Sequence, residues 1–250
     1  MASREEMSTS FGAVAAEYEA GRPGYPAEAI AWLLEPVRAP ERPARVADVG
    51  AGTGKLTRVA VELGAEVVAI DPDAAMLETL RTHVACVPTF VGRAESLPLP
   101  DAAVDAVLFG QAWHWVDVAA ASAEVGRVVR AGGVLGMVWN IRDDRVPWVA
   151  ELSAVMHGSH AEEVLSEEGG VAVAAPFADI ERERWEWSRA MTRADLLAMA
   201  RSRSYIVTAA PDERARIEAA LGDLLDRVGA VGEATVELPY VTHAFRSIRP

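Results

Sequence analysis

The amino-acid sequence predicts an α/β fold built on a parallel β-sheet. Between residues 45 and 140, short apolar runs alternate with segments of helical periodicity, as they do in βαβ units. A turn with glycine at every second position directly follows the first apolar run. The chain has 250 residues, 51% of them hydrophobic, which is enough to bury the core of one large α/β domain.

Five strands are predicted in this region, because each is a short apolar run bounded by polar or glycine-containing segments. They span residues 45–49, 66–70, 87–91, 104–109 and 133–139.

The helices between these strands are predicted from their ends. The first follows the glycine turn and stops at Gly64, a residue that suits the position just beyond a helix. The second begins near Asp71-Pro72-Asp73, where an acid can cap the helix and a proline fits its first turn. The third spans about 117–130 and is terminated by Gly132-Gly133, which also starts the fifth strand.

The segments on either side of this region are predicted to complete the sheet and to cover it. Helical patterns occur at 147–168, 192–200 and 211–228, and strand-like alternation occurs at 180–187 and 234–246. The last two strands bring the expected total to seven, and the helices around 192–228 are expected to cover the pocket. Ahead of the first strand, an amphipathic helical segment is expected to fold across the carboxyl edge of the sheet as a lid, with apolar residues at Phe11, Ala15 and Tyr18.

Charge and composition favour a small molecule as the partner. The net charge of −13 repels nucleic acids and anionic membrane surfaces. No apolar stretch reaches the roughly 18 residues of a membrane span, and the N-terminus lacks the pattern of a secretion signal. The single Cys86 fits a reducing compartment. We therefore expect a soluble, cytoplasmic protein.

The glycine turn is the strongest indication of a ligand site. Glycines at 50, 52 and 54 leave the turn without Cβ atoms, so the backbone can adopt positive φ and a ligand can approach closely. Asp71 closes the second apolar run, 21 residues after Gly50. An acid at this distance is placed to accept hydrogen bonds from ribose hydroxyls.

Two common nucleotide motifs do not fit the turn. A phosphate-binding P-loop requires glycine where Val49 stands and serine or threonine where Leu56 stands. A dinucleotide fingerprint requires its third glycine at the position of Lys55. A glycine turn without any ligand would leave the spacing of Asp71 unexplained.

The pattern from Asp48 to Gly54 resembles the first motif of class I S-adenosylmethionine-dependent methyltransferases. Residues 90–98 are similar to the stretch that contacts adenine in this family, and residues 127–133 are similar to its late helix-to-strand turn. A narrower similarity, carried by residues 11–26 and by residues 111–115 after the fourth strand, points to the branch with trans-aconitate-type and related small-molecule methyltransferases.

The resemblance implies a Rossmann-like, doubly wound, seven-stranded sheet, mostly parallel with an antiparallel last strand. It implies a single methyltransferase domain over residues 1–250, with an N-terminal helical lid at 1–40, a cofactor-binding core at 41–140, and C-terminal strands and helical cover at 141–250. S-adenosylmethionine would lie at the carboxyl ends of strands one to four, and S-adenosylhomocysteine would be the product.

The resemblance also assigns residues to parts of this cofactor. Asp71 would accept from the ribose, Met76 and Ala94 would line the adenine slot, and Glu95 would accept from the exocyclic amine. The amino-acid end would lie over the glycine turn, near Tyr18 and Arg22 of the lid. The complete expected set is Tyr18, Arg22, Asp48, Gly50, Ala51, Gly52, Thr53, Gly54, Asp71, Pro72, Met76, Ala94, Glu95 and Gln111.

His114 is the candidate catalytic residue. Methyl transfer depends mainly on alignment of the acceptor with the methyl group, but a hydroxyl or phenol acceptor would also benefit from a base. His114 follows the fourth strand at the edge of the pocket. The alternative is that it only packs or hydrogen-bonds beside Trp113 and Trp115. Together with Trp139, these two tryptophans are expected near the pocket.

Two other polar groups have simpler interpretations. His157 and His160, beside Glu162 and Glu163, are interpreted as a solvated polar turn, so no metal is expected. Arg142 and Arg145 have the spacing to pair with an acidic substrate. With Asp143 and Asp144 between them, they are interpreted as a solvated charged loop.

The predicted function is methyl transfer from S-adenosylmethionine to a small-molecule acceptor, at oxygen or at a carboxylate. Two alternatives remain: a protein that binds this cofactor without transferring methyl groups, and an NAD(P)-dependent oxidoreductase on a similar fold.

Overall fold

A computed structural model describes residues 21–156, 165, 170–201 and 210–250. In this part of the chain seven strands form one sheet: β1 (Arg45–Val49), β2 (Glu66–Asp71), β3 (Thr89–Val91), β4 (Val104–Gly110), β5 (Val129–Arg142), β6 (Glu181–Thr192) and β7 (Thr235–Ile248). Their order is β3-β2-β1-β4-β5-β7-β6. Strands β1 to β5 are parallel, and β7 is antiparallel to β5 and β6. The predicted sheet, mostly parallel with an antiparallel last strand, is confirmed.

Helices lie on both faces of this sheet. They are α1 (Ala27–Leu34), α2 (Lys55–Glu62), α3 (Ala74–His83), α4 (Val118–Val128), α5 (Pro147–Val155), α6 (Arg193–Arg201) and α7 (Pro211–Arg227). Short 3₁₀ turns occur at Glu35–Val37 and Trp113–Trp115. Within the described ranges, no helix combines the length and the apolar character needed to cross a membrane.

Helix α3 begins beside the predicted segment with an acid as its cap, but the cap is Asp73 and the predicted place of Pro72 in the first turn is wrong. Asp71 ends β2 instead of capping the helix, and Pro72 lies outside the helix. The capping residue is Asp73, whose carboxylate accepts from the backbone N–H of Ala75 at 2.9 Å. The carboxylate of Asp71 is thereby available to the glycine turn.

The predicted role of Gly132-Gly133 as a helix terminator is wrong. Helix α4 already ends at Val128, and both glycines lie inside β5, where the pairing register with β4 shifts. Gly132 has a φ of +71°, and a Cβ on Gly133 would lie 2.5 Å from the carbonyl oxygen of Asp105. The two glycines therefore permit a bulge in the strand.

The helix α1 lies on a face of the sheet, although residues 1–40 are predicted as a lid. Ile30 and Leu33 of α1 are fully buried and pack with Val46, Ala106 and Val138 from three strands. Burial of this apolar surface holds α1 away from the carboxyl edge. Residues 1–20, which include Phe11, Ala15 and Tyr18, lie outside the described residues.

The C-terminal helices form a separate apolar cluster. Buried leucines of α5, α6 and α7, among them Leu152, Leu196 and Leu224, pack with Tyr240 of β7. A Cβ on Gly21 would lie 2.7 Å from the Cα of Met199 in α6, so the segment before α1 contacts this cluster closely. The cluster thus lies beside the carboxyl end of β5 and the amino end of β7. That these helices cover the pocket stays a prediction.

Candidate functional site

The glycine turn forms a backbone surface at the carboxyl end of β1. The N–H groups of Gly50 and Ala51 both donate to the carbonyl oxygen of Ile70, at 2.8 and 3.1 Å, so the turn is tied to β2. Gly50 has a φ of +70°, and a Cβ there would lie 2.5 Å from the Cβ of Ala112. A side chain at this position would therefore be strained and would also close the space between the turn and the segment after β4.

Asp71 joins the glycine turn to the end of β2. One carboxylate oxygen accepts from the N–H of Gly52 at 2.9 Å, and the other accepts from the N–H of Asp73 at 2.8 Å. Burial raises the pKa of Asp71 to about 6, although these two hydrogen bonds favour the charged form. Each oxygen has a second lone pair, so the carboxylate can accept hydrogen bonds from a ligand as well.

Asp48 lies fully buried beneath the same turn. Its Oδ2 accepts from the hydroxyl of Thr57 at 2.5 Å, whereas its buried Oδ1 has no hydrogen-bond partner among the described residues. Burial raises the pKa of Asp48 to about 7, and the nearby charge of Asp71 raises it further in the same direction. A buried acceptor without a donor is costly, and a donor from a ligand would satisfy it.

A cavity of about 260 Å³ opens beside Asp71 at the carboxyl ends of the strands. Eight of the expected cofactor residues lie in its wall: Gly50, Gly52, Asp71, Pro72, Met76, Ala94, Glu95 and Gln111. The sequence interpretation omits several other wall residues, namely Val49, Gly92, Arg93, Phe109, Gly110, Ala112 and Val116. Most of these lie at or just after the carboxyl end of a parallel strand, where ligands bind in open α/β sheets, and this rule could have identified them.

A smaller cavity of about 40 Å³ lies on the other side of the glycine turn. Its wall contains four further members of the expected set, Arg22, Asp48, Ala51 and Thr53. Gly54 lies in neither wall. A Cβ there would be 2.7 Å from the side chain of Leu80, so glycine at this position allows α3 to pack closely against the turn. Tyr18 lies outside the described residues.

Glu95 has a structural partner at the wall of the larger cavity. Its Oε1 accepts from the backbone N–H of Asp117, at the start of α4, at 2.9 Å. The contact fixes the position of the carboxylate. Its expected role toward an adenine amine stays a prediction.

Gln111 connects the site to β5. It has a φ of +57°, its backbone N–H donates to Val138, and its side-chain amide donates to the carbonyl oxygen of Asn140 at 3.0 Å. These contacts hold the chain in a sharp bend directly after β4. Backbone strain of this kind persists only where surrounding contacts enforce it.

Asn140 is a buried residue of the site region that the sequence interpretation does not identify. Its amide donates to the carbonyl oxygen of Gly24 at 2.8 Å and accepts from the hydroxyl of Thr242 at 2.6 Å. Thr242 in turn accepts from the indole N–H of Trp187 at 2.8 Å. This series of bonds links the segment before α1 to β5, β7 and β6. Its members are far apart in sequence, so no spacing indicates it.

His114 lies in the turn after β4, but outside the walls of both cavities. Its Nδ1 accepts from the indole N–H of Trp139 at 3.1 Å, and its ring lies 4.8 Å from that of Trp115. Trp115 lines the larger cavity, whereas Trp113 and Trp139 are buried in the core. The expectation that all three tryptophans lie at the pocket is therefore wrong for two of them. The role of His114 as a base stays a prediction.

The two arginines after β5 have different environments. Arg145 is exposed and pairs with Asp143 and Glu186, as expected for a solvated loop. Arg142 is buried, and its Nε donates to the hydroxyl of Ser153 in α5 at 3.0 Å. The solvated-loop interpretation is wrong for Arg142, because β5 extends to this residue and α5 packs over it.

No group of three or more His, Cys, Asp or Glu side chains that could hold a metal ion occurs in the described ranges. His157, His160, Glu162 and Glu163 lie outside those ranges.

Comparison with known proteins gives consistent matches. Residues 47–137 match the methyltransferase domain family. The chain is 44% identical over 246 residues to an uncharacterised methyltransferase of Mycobacterium tuberculosis, with 98% of each protein covered. A solved structure of a candidate type II methyltransferase from Anaeromyxobacter dehalogenans aligns with a TM-score of 0.62 and 26% identity, over 91% of this chain and 97% of that one. The malonyl-[acyl-carrier protein] O-methyltransferase of Methylococcus capsulatus is 37% identical over 136 residues, which is 52% of this chain and 49% of that protein.

Proposed function

This chain belongs to the class I S-adenosylmethionine-dependent methyltransferases, and we propose that it methylates an oxygen atom, of a hydroxyl or a carboxylate, on a small-molecule acceptor. Membership of this family removes the NAD(P)-dependent oxidoreductase as an alternative. The narrower resemblance to the trans-aconitate-type branch stays a prediction.

The contacts of Asp71 carry the proposed position of the cofactor. Its carboxylate is held at the cavity wall by two backbone N–H groups, and both oxygens have a lone pair left for the ribose hydroxyls. Pro72, Met76, Ala94 and Glu95 continue the same wall and would enclose the adenine.

The buried Oδ1 of Asp48 supports the position of the amino-acid end. This oxygen faces no donor of the described chain, so the ammonium group of a methionine moiety suits it. Arg22 and Thr53 share the adjoining small cavity with Asp48, and a guanidinium there suits the carboxylate of the same moiety.

Positioning is the main contribution of the protein to the reaction. S-adenosylmethionine, when bound, supplies a methyl carbon made electrophilic by the positively charged sulfur beside it. The glycine turn, Asp71 and the bend at Gln111 would fix the direction from which an acceptor can approach.

Oxygen as the acceptor atom is supported by a partial relative. The Methylococcus capsulatus protein is an O-methyltransferase by name, and its match covers about half of each chain. Net charge favours a small acceptor over a nucleic acid, because the chain carries a charge of −13.

Two measurements test this proposal. Calorimetry should show binding of S-adenosylhomocysteine to the folded chain. Transfer of labelled methyl groups should then be measured with acids, alcohols, phenols and amines. Methylation of amines alone would contradict the proposed acceptor atom, and cofactor binding without any methylated product would favour the alternative of a binding protein.

A further inference from the structure

Strand β6 forms one edge of the sheet, and no other strand of the described chain pairs with its outer side. It pairs with β7 over twelve consecutive residues, Glu181–Thr192, without a shift in register. In an antiparallel pair, about half of the residues of each strand direct their backbone N–H and C=O groups away from the partner. The outer side of β6 therefore presents a long row of backbone donors and acceptors to a further strand.

The two edges of the sheet differ in how they are protected from such pairing. Strand β3, at the other edge, has three residues, too few for an extended row of backbone hydrogen bonds. Prolines and bulges are other common protections. Strand β6 contains no proline and no glycine, and its pairing with β7 is regular. Its protection within the strand consists of charged side chains, and they carry both signs.

Exposed side chains and an aromatic pair lie along this edge. On one face of β6, the side chains from 182 to 190 are exposed: Arg182, Arg184, Glu186, Ser188 and Ala190. On the other face, the partly buried ring of Trp185 packs edge-on against Trp32, with ring centroids 6.0 Å apart. Partly exposed aromatic rings beside a rim of charges are typical of protein–protein interfaces.

Two-fold symmetry limits how β6 can pair with β6 of a second copy of the chain. The two strands run antiparallel when the axis is perpendicular to the sheet. Such an axis keeps each face of the sheet on the same side, so residues that stand opposite one another point to the same face. The axis therefore passes through one residue of β6, and that residue fixes every other pair.

The charges of β6 select one of these registers. An axis through residue 181, 182, 183, 184, 186 or 189 places a charged residue opposite itself, which is unfavourable. An axis through residue 187 or any later residue of β6 leaves Arg184 and Glu186 without an opposite charge across from them. An axis through Trp185 places Arg184 opposite Glu186 of the second copy, twice by symmetry. In this register no position of β6 has a like charge opposite it.

The contacts of Glu186 are compatible with this pairing. Its Oε1 accepts from the guanidinium of Arg145 at 2.7 Å, and among the contacts of the described residues its Oε2 remains open to an arginine of a second copy. Arg184 and Glu186 are both exposed on the same face. One exposed ion pair contributes little, but two symmetric pairs would add to the backbone hydrogen bonds that join the strands.

We propose that the outer side of β6 is the interface of a homodimer, in which the sheets of two copies join antiparallel about an axis through Trp185. The two Trp185 rings lie at the axis, and the ion pairs between Arg184 and Glu186 flank them. Strands β5 and β7 separate β6 from the strands that line the cofactor cavity, so the inference does not depend on the proposed function.

Analytical ultracentrifugation of the full chain over a range of concentrations tests the dimer. We expect the wild type to reach twice the mass of one chain. Arg184→Glu places like charges opposite at both symmetric positions, so the dissociation constant should rise by about 10- to 100-fold. The double variant Arg184→Glu/Glu186→Arg exchanges the two charges and should return the constant to within a few-fold of wild type.

Arg81→Glu is the matched control. It makes the same change in net charge at an exposed residue of α3 that contacts β3, at the other edge of the sheet, and it should dimerise like wild type. A wild-type chain that stays monomeric overturns the inference. So does a dimer that Arg184→Glu and Arg81→Glu weaken equally, or one that the double variant fails to restore although circular dichroism shows it to be folded.

Cysteine cross-linking tests the register itself. With the axis through Trp185, Arg182 stands opposite Ser188 of the second copy, within reach of a disulfide. Arg182→Cys/Ser188→Cys, with the exposed Cys86 replaced by serine, should therefore form covalent dimers on mild oxidation. Either cysteine alone lies about 20 Å from its symmetry mate and should not cross-link. Cross-linking by a single variant, or none by the double variant, overturns the inference.

Discussion

Buried aspartates at the two edges of the sheet have opposite electrostatic environments. At the carboxyl edge, Asp48 and Asp71 are held by a hydroxyl and by backbone N–H groups, and burial raises the pKa of each. At the amino edge, Asp105 accepts two hydrogen bonds from the Arg42 guanidinium, at 2.6 and 2.7 Å, and one from Arg130 at 2.5 Å. These partners hold the pKa of Asp105 well below its usual range, although its side chain is fully buried.

Because of this difference, the buried acids at one edge of the sheet stabilise the fold and those at the other edge favour ligand binding. At the amino edge, arginines of the chain neutralise the buried charge, so the carboxylate stabilises the fold. At the carboxyl edge, the described contacts leave the two carboxylates only partly compensated, which favours a ligand that brings donors of its own. Functional sites commonly retain such unfavourable groups.

The largest expected effect is at the amino edge. We expect Asp105→Asn to lower the free energy of unfolding by about 3 kcal/mol, because Arg42 and Arg130 lose their buried counter-charge. Chemical denaturation measures this change. Asp101→Asn is the control: Asp101 is exposed and pairs with Arg127, so its loss should cost about 1 kcal/mol or less. If both variants lost the same free energy of unfolding, Asp105 would not stabilise the fold as described. If folded Asp105→Asn also bound the cofactor more weakly, the two edges of the sheet would not have separate roles.

The next effect is at the carboxyl edge. We expect Asp71→Asn to weaken binding of S-adenosylhomocysteine by about 100-fold, because the amide offers a poorer acceptor to two ribose hydroxyls. Its free energy of unfolding should fall less than that of Asp105→Asn, since burial already penalises the charge at position 71. Calorimetry and denaturation give both values. Glu78→Gln, an exposed acid on α3, is the matched control and should bind the ligand like wild type.

The smallest effect is a pH dependence. The pKa of Asp71 is about 6 in the folded chain, and the ribose hydroxyls prefer the carboxylate, so affinity for S-adenosylhomocysteine should fall by up to about tenfold per pH unit below 6. Asp71→Asn should reduce this dependence and leave the part that comes from Asp48, whose pKa is raised to about 7. If affinity depended on pH as strongly in that variant as in the wild type, a group other than Asp71 would cause the dependence.

The same acids set the sign of the stability profile without ligand. The pKa values of Asp48 and Asp71 are raised to about 7 and about 6, so the folded chain holds more protons than the unfolded chain between about pH 4 and these values. Their contribution to the free energy of unfolding therefore decreases as pH rises through that window. Asp105 acts in the opposite direction: its contribution is present above the unfolded pKa of about 4 and is lost as pH falls toward its lowered folded pKa.

Much of the carboxyl edge could be predicted from local sequence. Strands β1 and β4 lie within one residue of their predicted bounds, and the positive φ of Gly50 follows from the glycine turn. These features depend on neighbouring residues, through steric limits on φ and the period of apolar side chains. The spacing from Gly50 to Asp71 is also local, because one βαβ unit contains both.

Contacts between distant segments could not be predicted in this way. Trp139 and His114 are 25 residues apart, and Asn140 and Thr242 are 102 residues apart. The register shift between β4 and β5 near Gly132-Gly133 depends on the pairing of two strands, not on the local sequence alone. Arg142 is buried because α5 packs over the end of β5.

By itself, then, the sequence determined the glycine turn, the acid after the second strand and the identity of the methyl donor. All three depend on residues that lie close together in sequence, within one βαβ unit. Only the tertiary structure decided which buried acids have arginine partners and that Trp139 donates a hydrogen bond to His114. Those properties depend on burial and on donors that reach across the sheet, and both exist only after distant segments have packed together.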